Sequence, residues 1–443
     1  MIVATTKRDS SHSNTPSLGD HLAVLLLLCI SGNPVFLAGN RNELILLSAA
    51  GVLTLGLLAR RRVFVSPTAL SVTLGFLAIL LIQAMAFGFL PMVTVAGFMV
   101  KLYVAFATVI LVRDFPRTFV NVVATLALVS LVVFLADNAI GLVGGSLRNM
   151  IPIPPLAEFP QEPHFLVHNF AHSVGSLPYR NPGMFWEPGA FAGYLLLGLV
   201  FLASVRHRMA RRATTLRLVV LTVAALTTFS TMAYVVLPLA LLLQLGPTDT
   251  VAHPRITRRT VRAFATVVLI GAASLGIWKL SFVGRKMSHH YSAAVTKSEG
   301  WELNRFGSLL FDWEYIRRRP LLGWGLHRTT RYALHEGQVD ASMGQGNGLS
   351  DFTAKFGFIG LFVFLAATWR GLGALTGLSP AQRAAALLAI LLVLNGENFL
   401  NLPMFLALMF LREGSDPLAK RTFLFRPHPA RIRLRTVTVE PQR

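Results

Sequence analysis

The chain has 443 residues, of which 53% are hydrophobic and only 14% charged, yet its formal net charge is +21. With a mean hydropathy of +0.58, this excludes an ordinary soluble domain, and the apolar residues fall in runs of about 17 to 25, the length that crosses a bilayer as a helix. Cys29 is the only cysteine and lies inside the first apolar run, which excludes a disulfide framework, a cysteine-based metal site and thiol redox chemistry.

The predicted fold class is all-α, a polytopic membrane protein. Residues 1–20 form a polar leader without the small-residue cleavage pattern of a signal peptide, and read as a cytoplasmic tail. Hydropathy then predicts twelve spans, at 21–37, 44–59, 66–90, 93–112, 119–142, 189–205, 216–229, 232–245, 263–282, 356–374, 383–394 and 402–411. They form one transmembrane domain over 21–412, followed by a basic tail, 413–443. The stretch 216–245 lacks a real loop at Thr227 to Thr231 and is read as a tight hairpin of two short helices. With that parity every basic cluster falls on one side: Lys7 and Arg8, Arg60 to Arg62, Arg113 to Arg117, Arg206 to Arg212, Arg255 to Arg262, Arg370 with Arg383, and the tail from Arg412. The positive-inside rule puts that side, and both termini, in the cytoplasm. The basic tail is then explained by topology and anionic headgroups; no nucleic-acid fold or P-loop is present, so nucleic acid is not an expected partner.

Two long segments, 143–188 and 283–355, fall on the external face. Both contain prolines, aromatics, histidines and arginines rather than Gly/Ser filler, so the chemistry is expected there. Arg180, Arg285, Lys286, Arg305, Arg317, Arg318, Arg319, Arg328 and Arg331 break the positive-inside trend and point to an anionic ligand, most naturally phosphate. The alternative is that long loops translocate regardless of charge.

Arg180 opens the stretch Arg180-Asn181-Pro182-Gly183-Met184-Phe185-Trp186-Glu187-Pro188-Gly189, which sets an arginine and a glutamate at the mouth of an apolar run. In the second loop, Leu309, Leu310, Trp313 and Ile316 recur at helical spacing after Arg305, which predicts an amphipathic helix on the membrane surface. Pro320, Gly323 and Gly325 are expected to end it. A third segment, Gly344 to Asp351, stands before the tenth span, where Gly357 and Gly360 permit close helix packing.

These three segments, in this order and on this topology, resemble the O-antigen polymerase and O-antigen ligase superfamily of bacterial inner-membrane proteins. Arg180 to Gly189 looks like that family's arginine and Glu-Pro element; Arg305, Asp312, Pro320, Gly323 and Gly325 look like its second arginine and Pro-x-x-Gly-x-Gly element. Asn347, Gly357 and Gly360 match the third, but Gly346 stands where ligases carry a histidine. The resemblance implies a GT-C-like fold with two long periplasmic loops. It further implies metal-independent glycosyl transfer, without a cofactor, from an undecaprenyl-diphosphate-linked saccharide, with a chain-length regulator as a possible partner beside the bilayer. Missing that histidine moves the expectation from ligase to a polymerase of repeat units. A ligase acting on a lipid A-core acceptor is the alternative within the family, and a flippase or transporter of lipid-linked oligosaccharide the alternative from another class.

For a diphosphate leaving group, Arg180 and Arg305 are the expected catalytic cations. Glu187 is the candidate carboxylate, as base or as structural partner of Arg180. Substrate-binding candidates are Lys101, Asn347, Asp312, Arg285, Arg328 and His327. Lys101 sits mid-span, where a cation normally lines a cavity or pairs internally. His327 and His335 lie in the same loop as candidates to replace the absent histidine, although each reads more readily as an ordinary loop residue. His289 with His290 makes a poor metal set. His164, His168 and His172 recur every fourth residue and would share one face of a helix. Glu397, between the last two spans, is expected to meet a loop arginine. The loop aromatics, Trp186, Trp313 and Trp324 among them, fit sugar stacking or an interfacial belt.

Overall fold

The computed structural model describes residues 15–37, 42–60, 62, 66–142, 147, 164, 165, 167–170, 180–245, 305–335 and 346–415. These are helical almost throughout: α1 (Leu18–Gly32), α2 (Asn42–Ala59), α3 (Pro67–Phe87), α4 (Met92–Leu111), α5 (Phe115–Leu142), α6 (Pro188–Val205), α7 (Arg211–Thr227), α8 (Thr231–Leu242), α9 (Arg305–Arg318), α10 (Gly348–Ala374) and α11 (Pro380–Leu394). A two-residue antiparallel pair, His164–Phe165 against His168–Asn169, is the exception. Among the described residues six helices, α2 to α6 and α10, are long and apolar enough to cross a bilayer, and α1, α8 and α11 are shorter apolar helices. The chain is an all-α polytopic membrane protein.

Several helices depart from the hydropathy boundaries for local reasons. The first expected span stops at Gly32, because a residue before proline disfavours helical torsions and Pro34 starts a separate turn, Pro34–Leu37. The 216–245 stretch does fold as a hairpin, α7 and α8, turned at Thr228 to Ser230 with Phe229 at φ 47°, in the left-handed region. The tenth helix begins at Gly348, well before 356, since Asn347 caps it and accepts from the Ser350 amide at 3.1 Å. The expected span at 402–411 is a run of short turns, Pro403–Leu406, Ala407–Phe410 and Leu411–Ser415, buried from Pro403 through Leu411. The expected span at 263–282 lies outside the described residues.

The centre of the molecule is α6, every residue of which is buried. It packs against α5, α7, α8 and α11. Between helices in lipid there is little hydrophobic drive, so close contact through small residues has to hold them. Gly198 brings Leu221 and Val123 within 3.7 Å of where a side chain would begin, and Gly193 leaves no room beside the Phe399 ring. Two polar side chains add hydrogen bonds across this interface. The Tyr194 hydroxyl donates to the Ser31 carbonyl, and Gln244 Nε2 donates to the Leu199 carbonyl at 2.8 Å.

Ion pairs gather one set of helix ends on one face. Arg60, ending α2, pairs with Asp20 in the first turn of α1 and donates to the Leu111 carbonyl, the end of α4, at 2.8 Å. Arg208, just past α6, pairs with Asp114, just before α5, at 2.9 Å. His207 lies against Gly377, between α10 and α11. The described arginine clusters therefore share this face. The opposite face collects Asn33, whose Nδ2 donates to the Met184 carbonyl at 3.1 Å, the α6 entrance, the α7–α8 turn and the start of α10. It is the loop face.

Replacing Gly193 by Leu tests the central packing. The Phe399 ring, stacked on Phe405 and edge-on to Tyr194, cannot yield, and overpacking of this kind costs about 1–3 kcal/mol or more. A lowered thermal midpoint of the detergent-solubilised protein, measured by size-exclusion fluorescence after heating, is the expected outcome.

Candidate functional site

The entrance to α6 is built from backbone bonds to the hairpin turn. The Asn181 amide donates to the Thr227 carbonyl at 3.0 Å, and the Asn181 side chain bonds Thr227 Oγ1 and receives the Ser130 hydroxyl at 2.5 Å. Gly183, at φ 56°, allows the turn against the Phe191 ring. This lattice fixes Arg180, which is half-buried and donates through Nε to the Thr228 carbonyl at 3.1 Å. Glu187 caps α6 in extended conformation, half-buried, without a side-chain cap bond. Among the described residues no hydrogen bond or ion pair takes up its carboxylate, so Glu187 does not pair with Arg180. The positive end of the α6 dipole lies behind it.

A second cluster joins α9 to α10. Asp312 and Asp351, both buried, share Arg331: its guanidinium pairs with Asp312 and reaches Asp351 Oδ1 at 3.3 Å. Ser350 donates to the other Asp312 oxygen at 2.5 Å, and Lys355 Nζ lies 2.5 Å from Asp351 Oδ2. Tyr315 and Tyr332 flank the guanidinium at 4.9 and 5.3 Å from their ring centres. Two anions thus balance two cations, the arrangement a buried charge requires. Burial pushes the Asp312 carboxyl up to about 6, with Arg331 pulling it back. Arg331 was grouped by sequence with the anion-seeking arginines; it is 1% exposed and consumed by protein carboxylates. Asp312, expected to bind substrate, is fully buried with both oxygens engaged. Asn347 is likewise taken up, capping α10 and donating to Asn395 Oδ1 at 2.7 Å.

Helix α9 forms where the spacing predicted, and of the four apolar residues expected on its membrane side only Ile316 turns inward. The buried stripe is Ser308, Phe311, Asp312, Tyr315 and Ile316, packed on α10, while Leu309, Leu310 and Trp313 are exposed. Periodicity alone cannot separate the two stripes, because both are partly apolar and the single charge of the inner one, Asp312, is neutralised from another helix.

The Pro-x-x-Gly-x-Gly element proves to close a broken helix. Gly357, at φ 67° and ψ −176°, interrupts α10. The amides of Phe358 and Ile359 then donate to the carbonyls of Pro320 and Leu321 at 2.7 and 3.2 Å, and the amides of Trp324 and Gly325 donate to the freed carbonyls of Ala354 and Lys355, each at 2.9 Å. From α3, Gln83 Nε2 adds bonds to the carbonyls of Leu322 and, at 2.8 Å, Lys355. Irregular backbone at membrane depth survives only when its polar groups are met in this way. Gly323, at φ 72°, is required as well, since a side chain would begin 2.6 Å from the Lys355 carbonyl.

Among the other candidates, Lys101 lies midway along α4, and among the described residues no carboxylate pairs with it. His327 caps the short helix Arg328–Arg331, with Nδ1 2.8 Å from Thr329 Oγ1, and its ring meets Phe89. Arg328 is exposed. Arg285 lies outside the described residues, as does the Arg305 side chain, although its backbone opens α9. Arg319 is stacked on Phe87 and Trp324, at 4.2 and 4.9 Å, and Arg318 pairs with Glu314 at 3.1 Å. The histidines at 164 and 168 lie on paired strands, so they do not share a helix face; His172 lies outside the described residues. Burial drives His168 down to about 4, which keeps it neutral against Ser130 and Phe170. No signal in the sequence identified Gln83 or Arg331 as the groups that tie the second loop down.

No protein-family model matches the chain, and no curated protein matches it either. Function therefore has to be argued from the site.

Two substitutions test this account of the loop face. Arg331→Met leaves Asp312 facing Asp351 without their shared cation, a change that costs about 3–5 kcal/mol; adding Asp312→Asn is expected to recover part of the loss in thermal midpoint. Gly323→Val is expected to lower folded yield sharply, read as the monodisperse fraction on size exclusion.

Proposed function

We propose that the chain is a membrane glycosyltransferase that polymerises undecaprenyl-diphosphate-linked oligosaccharide repeat units into a surface polysaccharide or exopolysaccharide. The observation that carries this reading is the α6 entrance: a half-buried arginine and a glutamate that do not neutralise each other, held on the loop face at the mouth of the most enclosed helix. In this reading Arg180, with Arg305 from the second loop, stabilises the charge that develops as the lipid diphosphate leaves. Glu187 orients the acceptor hydroxyl or accepts its proton. The loop face is periplasmic and the arginine face cytoplasmic in a bacterial inner membrane, with both termini cytoplasmic, twelve spans and a GT-C-like architecture. The exposed Leu309, Leu310 and Trp313 of α9 rest in the outer leaflet.

The amide of Gly346, where ligases of the resembling family carry a histidine, donates to the Ser308 hydroxyl at 3.0 Å. Glycine brings no side chain to that position, so the acceptor-binding histidine of the ligases has no counterpart there, which favours polymerase over ligase. A second reading, a flippase for lipid-linked saccharide, draws on the lysines that α4 and α10 carry, Lys101 and Lys355, since moving a charged headgroup across the bilayer needs cations within the spans.

Arg180→Ala and Arg305→Ala, each expressed in the native host in place of the wild type, are expected to collapse polysaccharide to single repeat units on a gel at normal protein abundance. Normal long chains in both variants would sink the polymerase reading. Loss of attachment to lipid A with polymer still on the carrier would indicate a ligase, and repeat units trapped on the cytoplasmic leaflet a flippase.

A further inference from the structure

Two arginines meet where α5 and α7 begin, on the face opposite the α6 entrance. Arg117 stands in the first turn of α5, with Asn121 one turn later on the same side of the helix. From α7, which packs on α5, Arg217 donates through Nε to Asn121 Oδ1 at 2.9 Å and through Nη1 to the Ala213 carbonyl at 3.0 Å. The second bond folds its head back toward the start of α7, so both guanidiniums are brought to the same end of the α5–α7 contact. Asp114, just before α5, is the acidic residue nearest in sequence, and it pairs with Arg208 at 2.9 Å. The charged group that acts on Arg217 is Arg117 itself. Among the described residues no side-chain hydrogen bond or ion pair takes up the Arg117 guanidinium, and its Nε is buried without a partner.

Two half-buried cations on adjoining helices repel unless an anion comes between them. Planar guanidiniums grip phosphate oxygens in forked pairs, and the positive dipole ends of both helices point the same way. What carries the phosphate follows from the helix surface beyond it. Leu128, Val132 and Leu135 stand eleven, fifteen and eighteen residues after Arg117, which helical spacing puts on its side of α5, and they are 50, 61 and 62% exposed. On α7, Leu216 and Val223 are exposed as well. An apolar track leading away from a cationic head site fits a lipid, with its chain on the track and its phosphate at the end.

We propose that the start of the α5–α7 seam is a binding site for an anionic phospholipid of the adjoining leaflet, with Arg117 and Arg217 on its phosphate and an acyl chain along Leu128, Val132 and Leu135. The ligand is a lipid of the bilayer itself, so the site stands or falls apart from the polymerase reading.

The test is native mass spectrometry of the full chain, delipidated in detergent and titrated with phosphatidylglycerol or phosphatidylcholine. The wild type is expected to retain phosphatidylglycerol at concentrations where phosphatidylcholine is lost. Arg117→Gln, which breaks no contact between elements, is expected to weaken that binding about tenfold, the loss of one charge-assisted contact, at an unchanged thermal midpoint. Arg117→Lys, which keeps the charge, is expected to restore most of the affinity, and Arg370→Gln, an exposed arginine of α10, to leave it unchanged. Equal retention of the two lipids by the wild type, or undiminished binding by Arg117→Gln, overturns the proposal. An equal loss in Arg370→Gln overturns it in favour of diffuse attraction between the whole face and anionic headgroups. Displacement of the lipid by equimolar inorganic phosphate overturns it in favour of a free-anion site.

Discussion

Backbone satisfaction across the break at Gly357 is the constraint on which the loop face depends. A helix interrupted inside hydrocarbon exposes amides and carbonyls that water cannot reach, and each would cost several kcal/mol if left unmet. The turn from Pro320 to Gly325 meets them almost one for one, so it has to lie against α10, and α9 has to end where it does. Once α9 is docked, Asp312 is carried into the interior, and the Arg331 and Ser350 contacts become obligatory. The ion cluster is thus a consequence of the break as much as a support for it.

Helix α6 imposes the complementary constraint from the middle of the molecule. Being buried along its whole length, it fixes the position of its own entrance, because neighbours on every side limit its tilt and depth. Arg180 and Glu187 inherit that rigidity through Asn181 and the bonds to the α7–α8 turn. A charged pair placed on a connecting segment is in this way held as firmly as one on a helix.

The loop arginines divide into classes that one-dimensional reading could not separate. Arg331 and Arg319 are spent on carboxylates and aromatic rings, Arg318 on a neighbour in its own helix, and Arg180 on the Thr228 carbonyl of the α7–α8 turn. Charge counts the same in the sequence in every case. What distinguishes them is which group another element brings to the same place, a carboxylate from α10 for Arg331 and a backbone carbonyl from the α7–α8 turn for Arg180.

Hydropathy and charge by themselves determined that the chain is a helical, multiply spanning membrane protein, that its described basic clusters share one face, and that residues 216–245 make a hairpin. Those properties follow from length, apolarity and parity, which are local or additive along the chain. Only the tertiary structure decided that Asp312 meets Arg331 and Ser350, that Asn347 meets Asn395, that α9 turns Asp312 toward α10, and that the Pro-x-x-Gly-x-Gly element repairs a broken helix. Each of these depends on a partner distant in sequence that supplies an opposite charge or a hydrogen bond, and pairing of that kind leaves no periodic trace in either partner.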